Sequence, residues 1–599
     1  MSHNRKGSGL EKPKNTKQTI KRLFTYLKPY QTWIIISTVL TILATIAQLY
    51  GSYAVSPILN LIQAAVTKEI TIELMSSQMM IQLAILAVVY FVEIAAVLIA
   101  SQLMLRVSEK SMHTMREELF SHLMVADIGY HDSQQYGDLM SRFTNDIGNL
   151  SETLGDTTRT FISNILSLIG TFVVMLVLSP LLTLIVVVFF PLLIFVIQFI
   201  GKKTRKASRE RQASLGALNG YIEESIEGVT VNQLFVREDQ SQKEFHSFNK
   251  DFSIKSHTSQ TLGFMMMPLM QNFNMIIYAF VGILGGYLAI NTGLSVGDLG
   301  AFVNMTRSFG RPLNMIANQF SSINSALSAA ERIFDVLDKP VESINSSDVE
   351  LHDIQGKVVF DSVDFSYVEN KPILNDVSFY AKTNQKIAIV GSTGAGKTTI
   401  TNLITRFYDI NEGSILVDDI DIKNINRYSL RENIGMVLQD THLFTGTIME
   451  NIRYGRLDAT DEECIAAAKL ANADYFIRNL EFGYDTEIRG DGEGLSQGQR
   501  QLLNIARAAV ANPKILILDE ATSSIDTRTE ELVEEGMDKL MEGRTTFVIA
   551  HRLSTVRNAN AIIVLENGQI IEKGNHDDLV ALGGRYASLY KNQSELIPQ

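Results

Sequence analysis

The chain has 599 residues, 46% of them hydrophobic, with 53 Lys and Arg against 65 Asp and Glu for a formal net charge of −12. That length is too great for one domain, and the acidic balance argues against nucleic acid as a partner, since phosphate binding needs a basic face. The single cysteine, Cys464, excludes an intrachain disulfide and a cysteine-based zinc site.

Residues 1–30 form a basic segment with Arg5, Lys6, Lys12, Lys14, Lys17, Lys21, Arg22 and Lys28. It is polar for too long to read as a cleavable signal. Residues 31–335 then hold six candidate membrane spans: 33–53, 79–103, 161–178, 181–200, about 268–290 and a more polar sixth at about 299–323. Each supplies the roughly 20 residues a helix needs to cross ~30 Å of hydrocarbon. Stretches such as "FVVMLVLSPLLTLIVVVFF" are apolar all round, unlike the helices of a soluble domain. Lys and Arg crowd the N-terminal segment and the "GKKTRKASRERQ" that follows the fourth span. By the positive-inside rule the protein is a multi-pass protein of the cytoplasmic membrane, with its N-terminus and everything after span six in the cytoplasm.

The connections at roughly 104–160 and 201–265 are long and helix-forming, so the spans are expected to continue well into the cytosol, whereas the outside loops are short. Glu93 lies mid-span, where an acid is either a protonated or paired structural group or faces a cavity or a partner. Met265, Met266, Met267, Met270 and Met275 cluster near the fifth span. Such side chains suit varied apolar ligands, but packing is the simpler reading.

After a linker at 336–355, residues 356–599 read as an α/β nucleotide-binding domain. A short β-type run, 387–390, precedes the glycine-rich loop Gly391, Ser392, Thr393, Gly394, Ala395, Gly396, Lys397 and Thr398, with Thr399 opening a helical pattern. In this strand–loop–helix context glycines let backbone N–H groups turn onto phosphate oxygens. Lys397 would contact the β- and γ-phosphates and Thr398 would bind Mg²⁺. Further on, "PKILILDEATSSID" gives an aliphatic strand ending in two acids. Asp519 fits the Mg²⁺-side aspartate acting through water, and Glu520 is the candidate general base. ATP and Mg²⁺ are therefore the expected cofactors.

With the phosphate loop, "LSQGQ" and "LDEATSSID" in this order, nearly the whole chain resembles an ABC exporter half-transporter, a six-helix transmembrane domain followed by an α/β P-loop ABC nucleotide-binding domain. The resemblance implies an ATPase coupled to transport and further site residues. Tyr367 would stack on adenine. Gln439 would sense Mg²⁺ and couple to the membrane domain, Asp526 would be the D-loop aspartate, and His551 would contact the γ-phosphate. Segments near 113–123 and 223–236 would be coupling helices. Arg489 and Gly490 stand where exporters more often show Gly-Glu.

In the family, each ATP lies between the phosphate loop of one chain and the signature of another. Leu495, Ser496, Gly498 and Gln499 fit that signature, but Gln497 replaces a glycine, and it would act on the ATP held by the partner. An intact hydrolytic set beside an altered signature resembles one chain of the heterodimeric bacterial multidrug exporters. The expected partners are thus a second, unlike half-transporter, the lipid bilayer and a small apolar or amphipathic substrate. A homodimeric exporter and a lipid or peptide exporter stand as alternatives.

Overall fold

The computed structural model describes residues 15–342, 349–438, 441–519, 526–549 and 556–594. It divides into two compact units, Met1–Val125 with Gln134–Lys339, and Ala126–Ser133 with Pro340–Gln599.

The first unit is built of helices: α1 (Thr16–Leu27), α2 (Gln31–Tyr53), α3 (Val55–Val66) and α4 (Ile72–Met124). The short α5 (Ile128–Ser133) belongs to the second unit. Then follow α6 (Tyr136–Ser141), α7 (Ile147–Glu152), α8 (Thr158–Leu178), α9 (Pro180–Glu227), α10 (Val229–Leu234), α11 (Glu238–Thr292) and α12 (Val296–Leu337). Polar caps set where the long helices begin. Thr71 accepts from Leu74 N–H at α4, Ser179 from Leu182 N–H at α9, and Ser295 from Asp298 N–H at α12. Gly293 ends α11 in the left-handed conformation, φ +74°. At 1.5 Å per residue the 53-residue α4 runs about 80 Å, well beyond a ~30 Å hydrocarbon layer.

The helices of this unit bury small and hydroxylated residues and expose large apolar ones. Ala44, Ala47, Ala96, Ala100, Ser37, Thr41 and Ser108 are buried, while Ile46, Val88, Leu98 and Val177 are exposed. That arrangement suits close helix packing in lipid. Hydroxyls reach neighbouring backbone instead of water, as Ser37 Oγ does in donating to the Ala100 carbonyl at 3.0 Å. α2 packs on α4, α8 on α12, and α9 chiefly on α11.

Among the described residues, four helical stretches are long and apolar enough to cross a membrane: Thr16–Val66, Ile72–Met124, Tyr136–Leu178 and Glu238–Thr292. The expected count of six is therefore not reached by length and composition. Among the described residues the apolar part of α9 is Pro180–Phe189, and the polar residues of α12, Arg307 and Arg311 among them, lower its hydropathy.

The second unit contains two sheets. One is antiparallel, in the order β2 (Leu374–Ala381), β1 (Val358–Phe365), β4 (Glu412–Val417), β5 (Ile420–Asp421). The other has the order β12 (Gln569–Gly574), β11 (Ala561–Glu566), β3 (Lys386–Gly391), β10 (Thr545–Ile549), β9 (Ile515–Asp519), β6 (Ile434–Val437), and is parallel except for β12. A small ribbon pairs β7 (Gly446–Thr447) with β8 (Glu487–Ile488). The helices are α13 (Lys397–Ile404), α14 (Arg427–Glu432), α15 (Ile448–Arg453), α16 (Asp461–Leu470), α17 (Asp474–Arg478), α18 (Gln497–Ala511) and α19 (Thr527–Met541), with two more near the end. The parallel strands are covered on both faces and read as aliphatic runs: Ile387, Ala388, Ile389, Ile515, Leu516 and Ile517 are fully buried. Cys464 is a buried free thiol.

The segment 113–123 is not a separate docking helix but part of α4, because nothing in it breaks the helical pattern before Val125. The short α5, a few residues further on, belongs to the second unit. A Cβ at Gly129 would lie 3.1 Å from the Tyr408 ring, and Tyr408 donates its hydroxyl to Asp132. The other expected segment, 223–236, contains α10.

Candidate nucleotide site

β3 delivers the glycine-rich loop at its C-terminal end, flanked in parallel by β10 and β11. Gly391 has φ +156°, and a Cβ there would meet the Leu565 carbonyl oxygen at 2.1 Å, so only glycine lets the loop leave the sheet so close to β11. Gly396 caps α13 in a left-handed conformation, φ +103°, and no side chain caps the helix. The first N–H groups of α13 are thus free of any capping side chain and carry the positive end of the helix dipole.

Lys397 is buried, and its Nζ donates to the loop's own carbonyls, Gly391 O at 2.9 Å and Ser392 O at 3.0 Å. Burial lowers the pKa of this ammonium, and Asp519 at the end of β9 works the other way. The sheet has therefore brought Lys397 and Asp519, 122 positions apart, within electrostatic reach of each other. Thr398 is exposed between buried Lys397 and Thr399, and nothing lies within 4 Å of a Cβ placed at Gly394.

A free-ended loop, a buried ammonium, an exposed hydroxyl and an aspartate fit a nucleotide triphosphate with Mg²⁺. No group of three or more His, Cys, Asp or Glu that could cage a metal occurs among the described residues.

Tyr367 is 43% exposed, and its hydroxyl donates to Thr399 Oγ1 at 3.2 Å. Its ring stands edge-on to Phe365 and to Tyr408, each with centroids 4.8 Å away. The ring is thereby fixed beside the loop. Tyr408, which the sequence did not single out, joins this ring pair to Asp132 of α5.

Ser496 caps α18 in a reciprocal box: its Oγ accepts from Gln499 N–H at 3.2 Å, and its own N–H donates to Gln499 Oε1 at 2.9 Å. Gln497 is the first helical residue and is exposed, so its side chain fits without disturbing the helix start. Leu495 packs on the core and Gly498 is buried. Asp526 caps α19, accepting from Thr529 N–H at 3.0 Å, which holds its carboxyl below the usual range. Arg489 and Gly490 follow β8, with Gly490 at φ +55°. Gln439, Glu520 and His551 lie outside the described residues.

Two further residues tie the signature helix into the domain. Asp491 accepts from Leu443 N–H at 3.1 Å, just past residue 439. Arg507 on α18 donates to the carbonyls of His442 and Asn451, each at 2.9 Å, and stacks over Phe444 and Tyr454.

In the first unit Glu93 is half-buried, on the face of α4 that carries Ala96 and Ala100. Met265 and Met275 are 49% and 66% exposed, so packing within this chain does not account for them. An apolar cavity of about 230 Å³ lies among Phe172, Met175, Thr183, Val186, Val187, Pro191 and Phe309. It is smaller than the roughly 300–1,000 Å³ of a drug-sized site.

A phosphate loop on a parallel sheet, joined in one chain to a helical unit that exposes its large apolar residues, defines the class of ATP-driven membrane transporters. The chain belongs to the ABC transporter family. The family patterns described as "ABC transporter transmembrane region" and "ABC transporter" match residues 34–313 and 374–523. The "Uncharacterized ABC transporter ATP-binding protein YfiC" of Bacillus subtilis is 42% identical over 98% of this chain and 96% of its own. The "Fatty acid ABC transporter ATP-binding/permease protein" of Mycobacterium bovis is 41% identical over 80% and 76%. The "Putative multidrug export ATP-binding/permease protein YgaD" of Bacillus subtilis is 36% identical over 81% and 84%. One membrane region and one ATP-binding domain in a chain make this a membrane-embedded half-transporter exporter, an ATPase coupled to transport.

Proposed function

We propose that the chain is one half of a dimeric exporter that uses ATP to move apolar or amphipathic compounds, drugs among them, out across the cytoplasmic membrane. In this reading 1–30 is a basic segment, 31–335 a six-span domain, 336–355 a linker and 356–599 the nucleotide-binding domain. α9 and α12 carry the fourth and sixth spans, and the N-terminus and nucleotide-binding domain are cytoplasmic.

The observation that carries the dimer is an exposed apolar tip. Ile226, Val229, Val231, Leu234, Phe235 and Val236, around α10, are all exposed although they lie outside any span. Such a patch marks an interaction surface, and α9 and α11, which present it, pack chiefly on each other. A second chain's nucleotide-binding domain is the proposed occupant. Gln497 favours an unlike partner, since the residues of this chain's own hydrolytic site are all present.

At that site Gly391 to Thr399 would hold the phosphates, with Tyr367 against the base. Thr398, Asp519 and Gln439 would hold Mg²⁺, partly through water, and the ion would supply charge neutralisation to the phosphates. Glu520 would accept the proton of the attacking water, with His551 positioned at the γ-phosphate. Ser496 and the N–H groups of α18 would complete the partner's site, and Asp526 would lie at the interface.

Two relatives' names point to different cargo, multidrug export and fatty acids. A lipid exporter is the second reading, and a homodimer the alternative assembly. Substrate-stimulated ATPase of the purified chain, alone and co-purified with a second half-transporter, tests the proposal. Stimulation by apolar compounds only with the partner supports it. Full activity of this chain alone contradicts the unlike partner.

A further inference from the structure

α12 carries two arginines one turn apart, Arg307 and Arg311, both exposed. Arg307 lies 11 residues past the start of the helix at Val296, about 17 Å along it, which for a span starting there is about half of a ~30 Å hydrocarbon layer. Neither arginine makes a hydrogen bond or ion pair with another described residue. A guanidinium at that depth is costly unless it faces water, an acid or a ligand, and two cations on successive turns repel each other.

The same face continues with exposed Ser308, Met315, Asn318 and Ser322, at helical spacing. The opposite face, Ala301, Phe302, Met305 and Thr306, is buried against neighbouring helices. Pro312 has no N–H to give the Ser308 carbonyl, which leaves one more polar group on the exposed face. A lipid-facing stripe would be apolar, so this one suits a water-filled chamber instead.

We propose that Arg307 and Arg311 bind the headgroup of the transported compound, and that its class is an amphiphile with one anionic group, a carboxylate or a phosphate ester, on an apolar tail. The inference rests on the export reading above and on α12 as a span. Guanidinium forks match both oxyanions in geometry and charge. Met315, 41% exposed one turn further along, offers the tail a soft apolar surface.

The test uses the full transporter complex in proteoliposomes, measuring ATP-dependent transport and half-stimulating concentration for ATPase. The probes share one oleyl-type tail: oleate, oleoyl lysophosphatidylglycerol, oleyl alcohol and oleyl trimethylammonium. The wild type should respond to an anion at a concentration about tenfold or more below the alcohol and the cation, the scale of one charge-assisted contact. Response to oleate alone identifies a carboxylate cargo, and response to the lysophospholipid alone a phosphate ester.

The double change Arg307→Gln and Arg311→Gln should erase that tenfold preference, whereas Arg307→Lys with Arg311→Lys should keep it. Arg307→Glu with Arg311→Glu should turn the preference toward the cation, a gain that misfolding cannot produce. Equal response to all four probes in the wild type, or an anion preference that survives the glutamine pair, overturns the assignment while leaving export intact. A wild-type complex that moves none of the probes, nor any apolar drug, overturns the export reading, and the arginine assignment falls with it.

Discussion

The two units of this chain solve opposite solvent problems. In the nucleotide-binding unit Ile387, Ile389, Ile517 and Phe547 are fully buried, whereas in the membrane unit Ile46, Val88 and Val177 are exposed and Ala100, Ser108 and Thr41 are buried. The same physics acts on both, because apolar area leaves water in each case, into a protein core in one and into lipid in the other. Chemistry is concentrated in the first of these, where glycines and charges meet at strand ends. The membrane unit has a different charge problem, the few polar groups that its apolar helices carry.

The largest expected effect lies in the chemistry. Glu520→Gln in this chain alone should lower turnover of the complex about 10²–10⁴-fold, the cost of a lost proton acceptor. Nucleotide binding should survive, read by trapped ATP. A fall to half the activity would mean two equivalent sites.

Solvent comes next. Ile389→Ala empties a site in a fully buried strand and should cost the nucleotide-binding unit about 2–5 kcal/mol. Ile46→Ala on a lipid-facing side should cost far less in a bilayer, because its surroundings are as apolar as the protein. Hydrogen exchange on each unit, resolved by peptide, measures both. Equal losses would break the comparison.

Smaller effects are expected at the helix caps. Gln497→Gly should change total ATPase less than Glu520→Gln does, since it alters an exposed first-turn residue and leaves the Ser496–Gln499 box in place. Asp526 has a folded pKa below its usual 3.8. Its contribution to stability is therefore fully present above that value and is lost as pH falls through the lower folded value. Asp526→Asn, which keeps an acceptor for Thr529 N–H but no charge, should flatten this acid step and lower neutral-pH melting slightly, toward the wild type's level in acid.

The phosphate loop was legible because its parts are contiguous, and the structure adds why Gly391 is required, a contact with β11 some 174 positions away. Lys397 and Asp519 were read from two separate motifs, and the parallel order of β3, β10 and β9 shows how the sheet brings them together. Asp491, Arg507 and Tyr408 escaped notice because their partners are 48, 56 and 276 residues distant, and no local pattern marks them. That 113–123 forms no short helix of its own was hidden for a related reason. Helical periodicity runs unbroken through 113–123, and only tertiary contact with Tyr408 distinguishes α5. Six spans were read from apolar runs, but α12 is too polar to qualify by composition, with Arg307 and Arg311 among its polar residues.

In the proposed mechanism, hydrolysis at Lys397 drives movement across the helical unit. Lys397→Ala removes the buried ammonium that now bonds the Gly391 and Ser392 carbonyls. The direct measurement is ATP hydrolysis and ATP-dependent uptake of an amphiphile in the same preparation of inside-out vesicles, wild type against this variant. Both should vanish together, with the protein still in the membrane at normal abundance. Uptake that persists without hydrolysis, or hydrolysis that persists at the wild-type rate, would contradict the account.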